Sequence, residues 1–134
     1  MARLMAGHFF CSNPTTLLRA IRVAATQAAP REVCGLLLGH DRIETHQQFP
    51  NIATEPGAFE IDPLMYAACE RALRPRRILG VYHSHVGPPV PSVRDQNLLW
   101  PAHSPWQLIV SVDGHWNLWR PGPHRWARLD GGRC

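Results

Sequence analysis

The apolar run Ile78-Leu79-Gly80-Val81-Tyr82 leads directly into His83-Ser84-His85. A short continuous apolar stretch of this kind reads as a buried strand. Side chains two apart on a strand share a face. His83 and His85 therefore face one point in space, and Ser84 faces away. Beyond them, Pro91-Ser92-Val93-Arg94-Asp95 carries a Ser-x-x-Asp pattern, which suits the start of a helix. Two imidazoles and a carboxylate make three ligands, the number a catalytic zinc takes while it keeps a position for water.

The rest of the chain gives that strand its neighbours. Ser12-Asn13-Pro14 reads as a helix start, and Leu17, Leu18, Ile21, Ala24, Ala25 and Ala28 recur at helical spacing before Pro30 ends the helix. Val33 to Gly39 reads as a second buried strand, with Gly39-His40-Asp41 turning into a third, Arg42 to Phe49. Residues 50–58, broken by Pro50 and Pro56-Gly57, form a loop and a candidate mobile rim. Asp62-Pro63 caps a helix running to about Leu73. The strand 77–83 follows, then a helix from Ser92 that ends before Pro101. Gln107–Val112 and His115–Trp119 form a hairpin about Asp113-Gly114, and Trp126–Leu129 adds a last strand. This order predicts a mixed sheet flanked by helices, of α/β or α+β type.

At 134 residues the chain reads as one domain, 1–134, with a core of its own. No apolar run is long enough to span a bilayer, and the N-terminus lacks the sustained apolar core of a secretory signal. Cys11, Cys34, Cys69 and Cys134 are widely spaced. They read as reduced thiols of a cytoplasmic protein, with Cys34 and Cys69 as small core residues. The net charge of +4 rests on Arg, because the chain has no Lys. No Lys side chain can therefore carry a ubiquitin-like tag. Arg74-Pro75-Arg76-Arg77 reads as a solvated helix end. Trp106, Trp116, Trp119 and Trp126 read as packing residues, since no interleaved basic stripe argues for nucleic acid. His8, His40, His46, His103, His115 and His124 have no paired spacing and read as surface or turn residues. Gly131-Gly132-Arg133-Cys134 reads as a flexible polar end.

Glu32 before Cys34-Gly35-Leu36-Leu37-Leu38-Gly39, then His83-Ser84-His85, then Pro91-Ser92-x-x-Asp95, together resemble the JAMM (MPN-plus) metallopeptidase family. Phe59-Glu60-Ile61-Asp62-Pro63 is similar to its bacterial branch. The likeness runs in order over about residues 15–120. It implies a JAMM/cytidine-deaminase-like sandwich holding one zinc per chain through His83, His85 and Asp95. It implies Glu32 as the general base and Ser92 as hydrogen-bond donor to the oxyanion. Ser92 read by itself is equally an N-cap, and Ser84 is a supporting residue. The implied reaction is zinc-dependent hydrolysis of an amide at the C-terminal glycine of a ubiquitin-like or sulfur-carrier protein. The alternatives are an inactive MPN-type scaffold and a RadC-like DNA-associated protein. One departure stands out. Val86 to Arg94 is one residue shorter than the family pattern, and Val86 stands where Pro is usual. The shortening falls in Val86-Gly87-Pro88-Pro89-Val90, a stretch stiffened by two prolines.

Overall fold

The computed structural model describes residues 11–98 and 106–134. A six-stranded sheet organises them. Its strands are β1 (Cys34–Gly39), β2 (Ile43–Phe49), β3 (Arg77–His85), β4 (Trp106–Ser111), β5 (His115–Arg120) and β6 (Ala127–Arg133). Across the sheet the order is β2-β1-β3-β4-β5-β6. Of these strands only β3 and β4 pair in parallel; the other neighbours are antiparallel. This is the mixed sheet expected. A parallel pair needs a crossover between its strands, and the helix α3 (Val93–Gln96) lies on that crossover.

Both faces of the sheet centre are covered, which is why β1 is buried at every position and reads as an unbroken apolar run. Helix α1 (Pro14–Ala28) lays Leu17, Leu18, Ile21 and Ala25 against Leu37, Leu79, Tyr82, Leu108 and Val110. On the opposite face Cys34, Leu36, Leu38, Ile78 and Val81 meet Phe49, Phe59 and helix α2 (Pro63–Leu73). Helix α2 is a thin cover. None of its residues is fully buried, and Tyr66, Cys69 and Leu73 supply its inner face. Its start follows from Asp62, whose side chain accepts a 2.8 Å bond from the Leu64 amide, with Pro63 in the first turn.

Several boundaries differ from the sequence reading. Strand β3 continues to His85 because β4 keeps pairing with it, up to His85 opposite Ser111. Helix α3 ends at Gln96, and Asn97 and Leu98 already leave the helix. The rest of the helix expected up to Pro101 lies outside the described residues, as do the readings for His8, His103 and the N-terminal segment. The last strand runs to Arg133, so Gly131-Gly132-Arg133 is a paired strand and not a loose end. Arg133 pairs with His115, Gly132 with Trp116 and Gly131 with Asn117. His46 is half-buried on β2 with its ring edge-on to Tyr82, more enclosed than the surface or turn residue expected. Gly114 turns the β4–β5 hairpin at φ 98°, a conformation that favours glycine. All four cysteines are free, with Cys11 and Cys34 buried. Among the described residues no helix is long and apolar enough to cross a membrane.

Candidate metal centre

The register of two strands closes a gap of about fifty residues. In the β1–β3 pair, Cys34 stands opposite His83. One step further along each chain, Ser84 Oγ accepts a 2.9 Å bond from the Val33 amide, and the Ser84 amide donates to the Val33 carbonyl at 3.0 Å. The next step sets Glu32 beside His85. By strand alternation Glu32, Cys34, His83 and His85 share a face, the one beneath α2. Ser84 points the other way and ties the two strands together, the supporting role expected of it.

Asp95 arrives from the crossover. Its amide donates to Ser92 Oγ at 3.0 Å, while its Oδ2 accepts from the Ser92 amide at 2.9 Å. This reciprocal capping box fixes the carboxylate at the mouth of α3. Asp95 Oδ2 lies 3.1 Å from His83 Nε2 and 3.3 Å from His85 Nε2. The two Nε2 atoms are 3.0 Å apart, and Glu32 Oε2 is 3.8 Å from His85 Nε2. One ligand atom from each of the four residues falls within 4.8 Å of all the others. The shortened loop therefore still delivers its carboxylate to the two imidazoles.

This donor set fits a single cation. A tetrahedral zinc with nitrogen and oxygen ligands at about 2.0–2.1 Å sets those ligands about 3.3 Å apart. The three sides measured here, 3.0, 3.1 and 3.3 Å, are close to that spacing. His85 Nδ1 faces the Pro88 carbonyl oxygen at 3.0 Å. A carbonyl only accepts, so Nδ1 carries a proton, and in the neutral ring Nε2 keeps its lone pair for a metal. His83 is fully buried and stacks on Phe59 with ring centroids 4.2 Å apart.

Burial sets the electrostatics. It pulls the His83 pKa down, which favours the neutral, ligating ring. It raises Glu32 to about 7, the nearby His85 opposing it only in part. For Asp95, burial acts upward, but the adjoining His83 and His85 rings and the Ser92 amide outweigh it and hold the carboxyl below its usual range. Two carboxylates with well-separated protonation behaviour thus flank one point. Glu32 Oε1 is buried and has no hydrogen-bond partner among the described residues, so that oxygen is free to take a proton.

Ser92 is exposed and its oxygen serves the capping box. A hydroxyl that accepts one bond still has a proton to donate, so both readings of Ser92 are compatible with the geometry. The rim at 50–58 is more firmly tied than its composition suggests. Asn51 Nδ2 donates to the carbonyls of Glu32 and Ala58 at 2.9 and 3.0 Å, and its Oδ1 accepts from the amides of Ala53 and Glu60. Arg94 pairs with Glu55 at 3.0 Å across the same rim. Asn51 holds the backbone of the candidate base, and sequence reading passed over it. Its one local sign was an Asn just after Pro50, where side chain to backbone bonds are common.

Residues 14–122 match the family described as prokaryotic homologs of the JAB domain. A desampylase from Haloferax volcanii is 34% identical over 120 residues, covering 84% of this chain and 81% of that protein. A "Probable TtuB-protein conjugate cleaving protease" from Thermus thermophilus is 36% identical over 86 residues, covering 61% of this chain. That alignment takes in 58% of the Thermus protein, less than two thirds of its length. The solution structure of a protein from Desulfitobacterium hafniense superposes with a TM-score of 0.71 at 25% identity, over 86% of each chain.

Proposed function

The chain belongs to the prokaryotic JAB-domain family, and from that premise we propose that it is a zinc-dependent isopeptidase. Its substrate is the amide bond at the C-terminal glycine of a ubiquitin-like or sulfur-carrier protein. The convergence of Glu32, His83, His85 and Asp95 carries this reading. The names of the two relatives, a desampylase and a protease of TtuB-protein conjugates, support the substrate class.

His83 and His85 through Nε2, and Asp95 through Oδ2, would hold one zinc. Zinc bound there would lower the pKa of its water to about 7 and polarise a carbonyl oxygen. The remaining work belongs to the protein. Glu32 takes the proton from the attacking water and passes it to the leaving amine, converting a poor leaving group into a neutral one. Its pKa, raised by burial to about 7, suits a group that must both accept and release a proton near neutral pH. Ser92 donates its hydroxyl proton toward the oxygen that gains charge as the carbonyl becomes tetrahedral. Asp95 stays ionised and offsets the metal's charge. The reaction unit is residues 1–134 acting as one domain in the cytoplasm, where the four free cysteines would stay reduced.

The test is hydrolysis of a carrier-protein conjugate by the zinc-loaded protein and by Glu32→Gln carrying the same zinc. We expect cleavage after the terminal glycine, slowed on the order of 10²–10⁴-fold in the variant. An unchanged rate in Glu32→Gln would remove the general base from the scheme. No cleavage of any glycine-linked conjugate by a zinc-loaded protein would favour a scaffold instead.

A further inference from the structure

We infer that Asn117 and Trp119 are positioning residues, which pin the ligand loop by its Pro89 carbonyl and so aim the imidazole of His85. Asn117 Nδ2 and Trp119 Nε1 both donate to the Pro89 oxygen, each at 3.1 Å. The preceding carbonyl, that of Pro88, is the one facing His85 Nδ1 at 3.0 Å. Adjacent peptide units thus link the hairpin strand β5 to the ring that offers Nε2 to the metal. This rests on the reading of His85 as a ligand.

The orientation of Asn117 is fixed by chemistry. Arg128 Nε donates to Asn117 Oδ1 at 2.8 Å. A guanidinium cannot accept and a carbonyl cannot donate. The amide oxygen must therefore face Arg128, and the amide nitrogen must face Pro89. Gly131, paired with Asn117 across the strands, leaves the space this arrangement needs. A Cβ at Gly131 would collide with Asn117 Oδ1 and with the Arg128 guanidinium.

The loop needs such an anchor. Pro88 and Pro89 have no amide N–H with which to tie themselves down. A groove of about 620 Å³ opens along the loop, lined by Val86, Pro88 and Pro89 on one side and by His115, Asn117 and Arg128 on the other. Pro89 is buried while Gly87, Pro88 and Val90 are exposed. The two bonds to the Pro89 carbonyl therefore hold the loop at its one buried point. Groups that orient a ligating histidine typically change metal affinity 10–100-fold when altered.

The experiment measures zinc affinity by competition with a chromophoric chelator, with the visible spectrum of the cobalt(II)-loaded protein as a report on ligand geometry. Asn117→Asp/Trp119→Phe removes both donors while keeping the ring and an acceptor for Arg128. We expect its zinc affinity to fall about 10–100-fold, with an altered cobalt spectrum. Trp119→Phe alone, which loses only the indole N–H, serves if the double variant does not fold, and should show a smaller loss in the same direction. His115→Ala, on the same strand and groove but without a bond to Pro89, should bind zinc as the unaltered protein does. Undiminished affinity and an unchanged cobalt spectrum in the donor variants would overturn the inference, as would an equal loss in His115→Ala. Failure of the unaltered protein to bind zinc would instead overturn the reading of His85 as a ligand.

Discussion

Glu32 is held in a state that suits chemistry better than stability. Its carboxyl, 4.5 in the unfolded chain, is raised to about 7 on folding, chiefly by burial. Between those values the native state binds the proton and the unfolded state does not. The contribution of Glu32 to the stability of the metal-free protein therefore falls as pH rises from about 4.5 to about 7, and stays lower above that. Gln cannot ionise. At pH 8, metal-free Glu32→Gln should be more stable than the unaltered protein by up to about 3 kcal/mol, at 1.36 kcal/mol per pKa unit. Urea unfolding at pH 8 and pH 4 checks this, since the advantage should vanish at the lower pH. Ser92 can be divided in the same way. Glycine is a tolerable N-cap, costing only a few tenths of a kcal/mol against serine. Ser92→Gly should thus leave the unfolding midpoint nearly unchanged while slowing hydrolysis about 10²–10³-fold. A rate that moves no more than the stability would leave Ser92 as a cap alone. At this scale the sequence was most readable where a residue type has few uses. Even there, two histidines at strand spacing say little alone, and gained meaning only with Glu32 before them and Ser92 and Asp95 after them. Asn51 and Asn117 escaped notice, and Trp119 read only as a packing residue, because the backbone carbonyls they donate to carry no mark in the sequence.

The elements were legible wherever a local signal ends them. Pro14, Asp62-Pro63 and Asp113-Gly114 each stand where a helix or turn begins, and the structure starts α1, α2 and the β4–β5 hairpin there. Strand ends were less legible, because a strand stops where its partner stops. In β3, pairing with β4 carries the strand through Ser84 to His85. Likewise β6 runs on through two glycines that composition marks as loose, since β5 supplies a partner for each. Gly35 is the element-scale test of how the site is built. A Cβ there would meet the Gln47 carbonyl and lie 2.6 Å from the Tyr82 ring. Gly35→Ala should cost about 1–3 kcal/mol by overpacking and loosen β1 just behind Glu32. Thermal unfolding should show the loss in the metal-free protein, and zinc affinity should drop less than in Asp95→Ala, because Glu32 is not one of the three proposed ligands.

At the scale of the molecule, the site exists because an antiparallel pair and a crossover meet. The β1–β3 register brings Glu32 to the histidines, and the link between parallel β3 and β4 carries Asp95 back over them. Neither pairing is visible in the sequence by itself, so spacing supplied the ligand types and family resemblance supplied their meeting. The short ligand loop was the open question, and the 3.1 Å approach of Asp95 Oδ2 to His83 Nε2 shows that it spans the distance. A cation binding only the folded state adds stability by mass action. Chelation should therefore lower the thermal midpoint, and one equivalent of zinc should restore it. The decisive experiment is to strip the protein of metal and follow hydrolysis of a carrier-protein conjugate as zinc is returned. A zinc-dependent isopeptidase should show no activity without metal and a rise that saturates at one zinc per chain. Full activity in the stripped protein, or none at any zinc loading, would contradict the proposed mechanism.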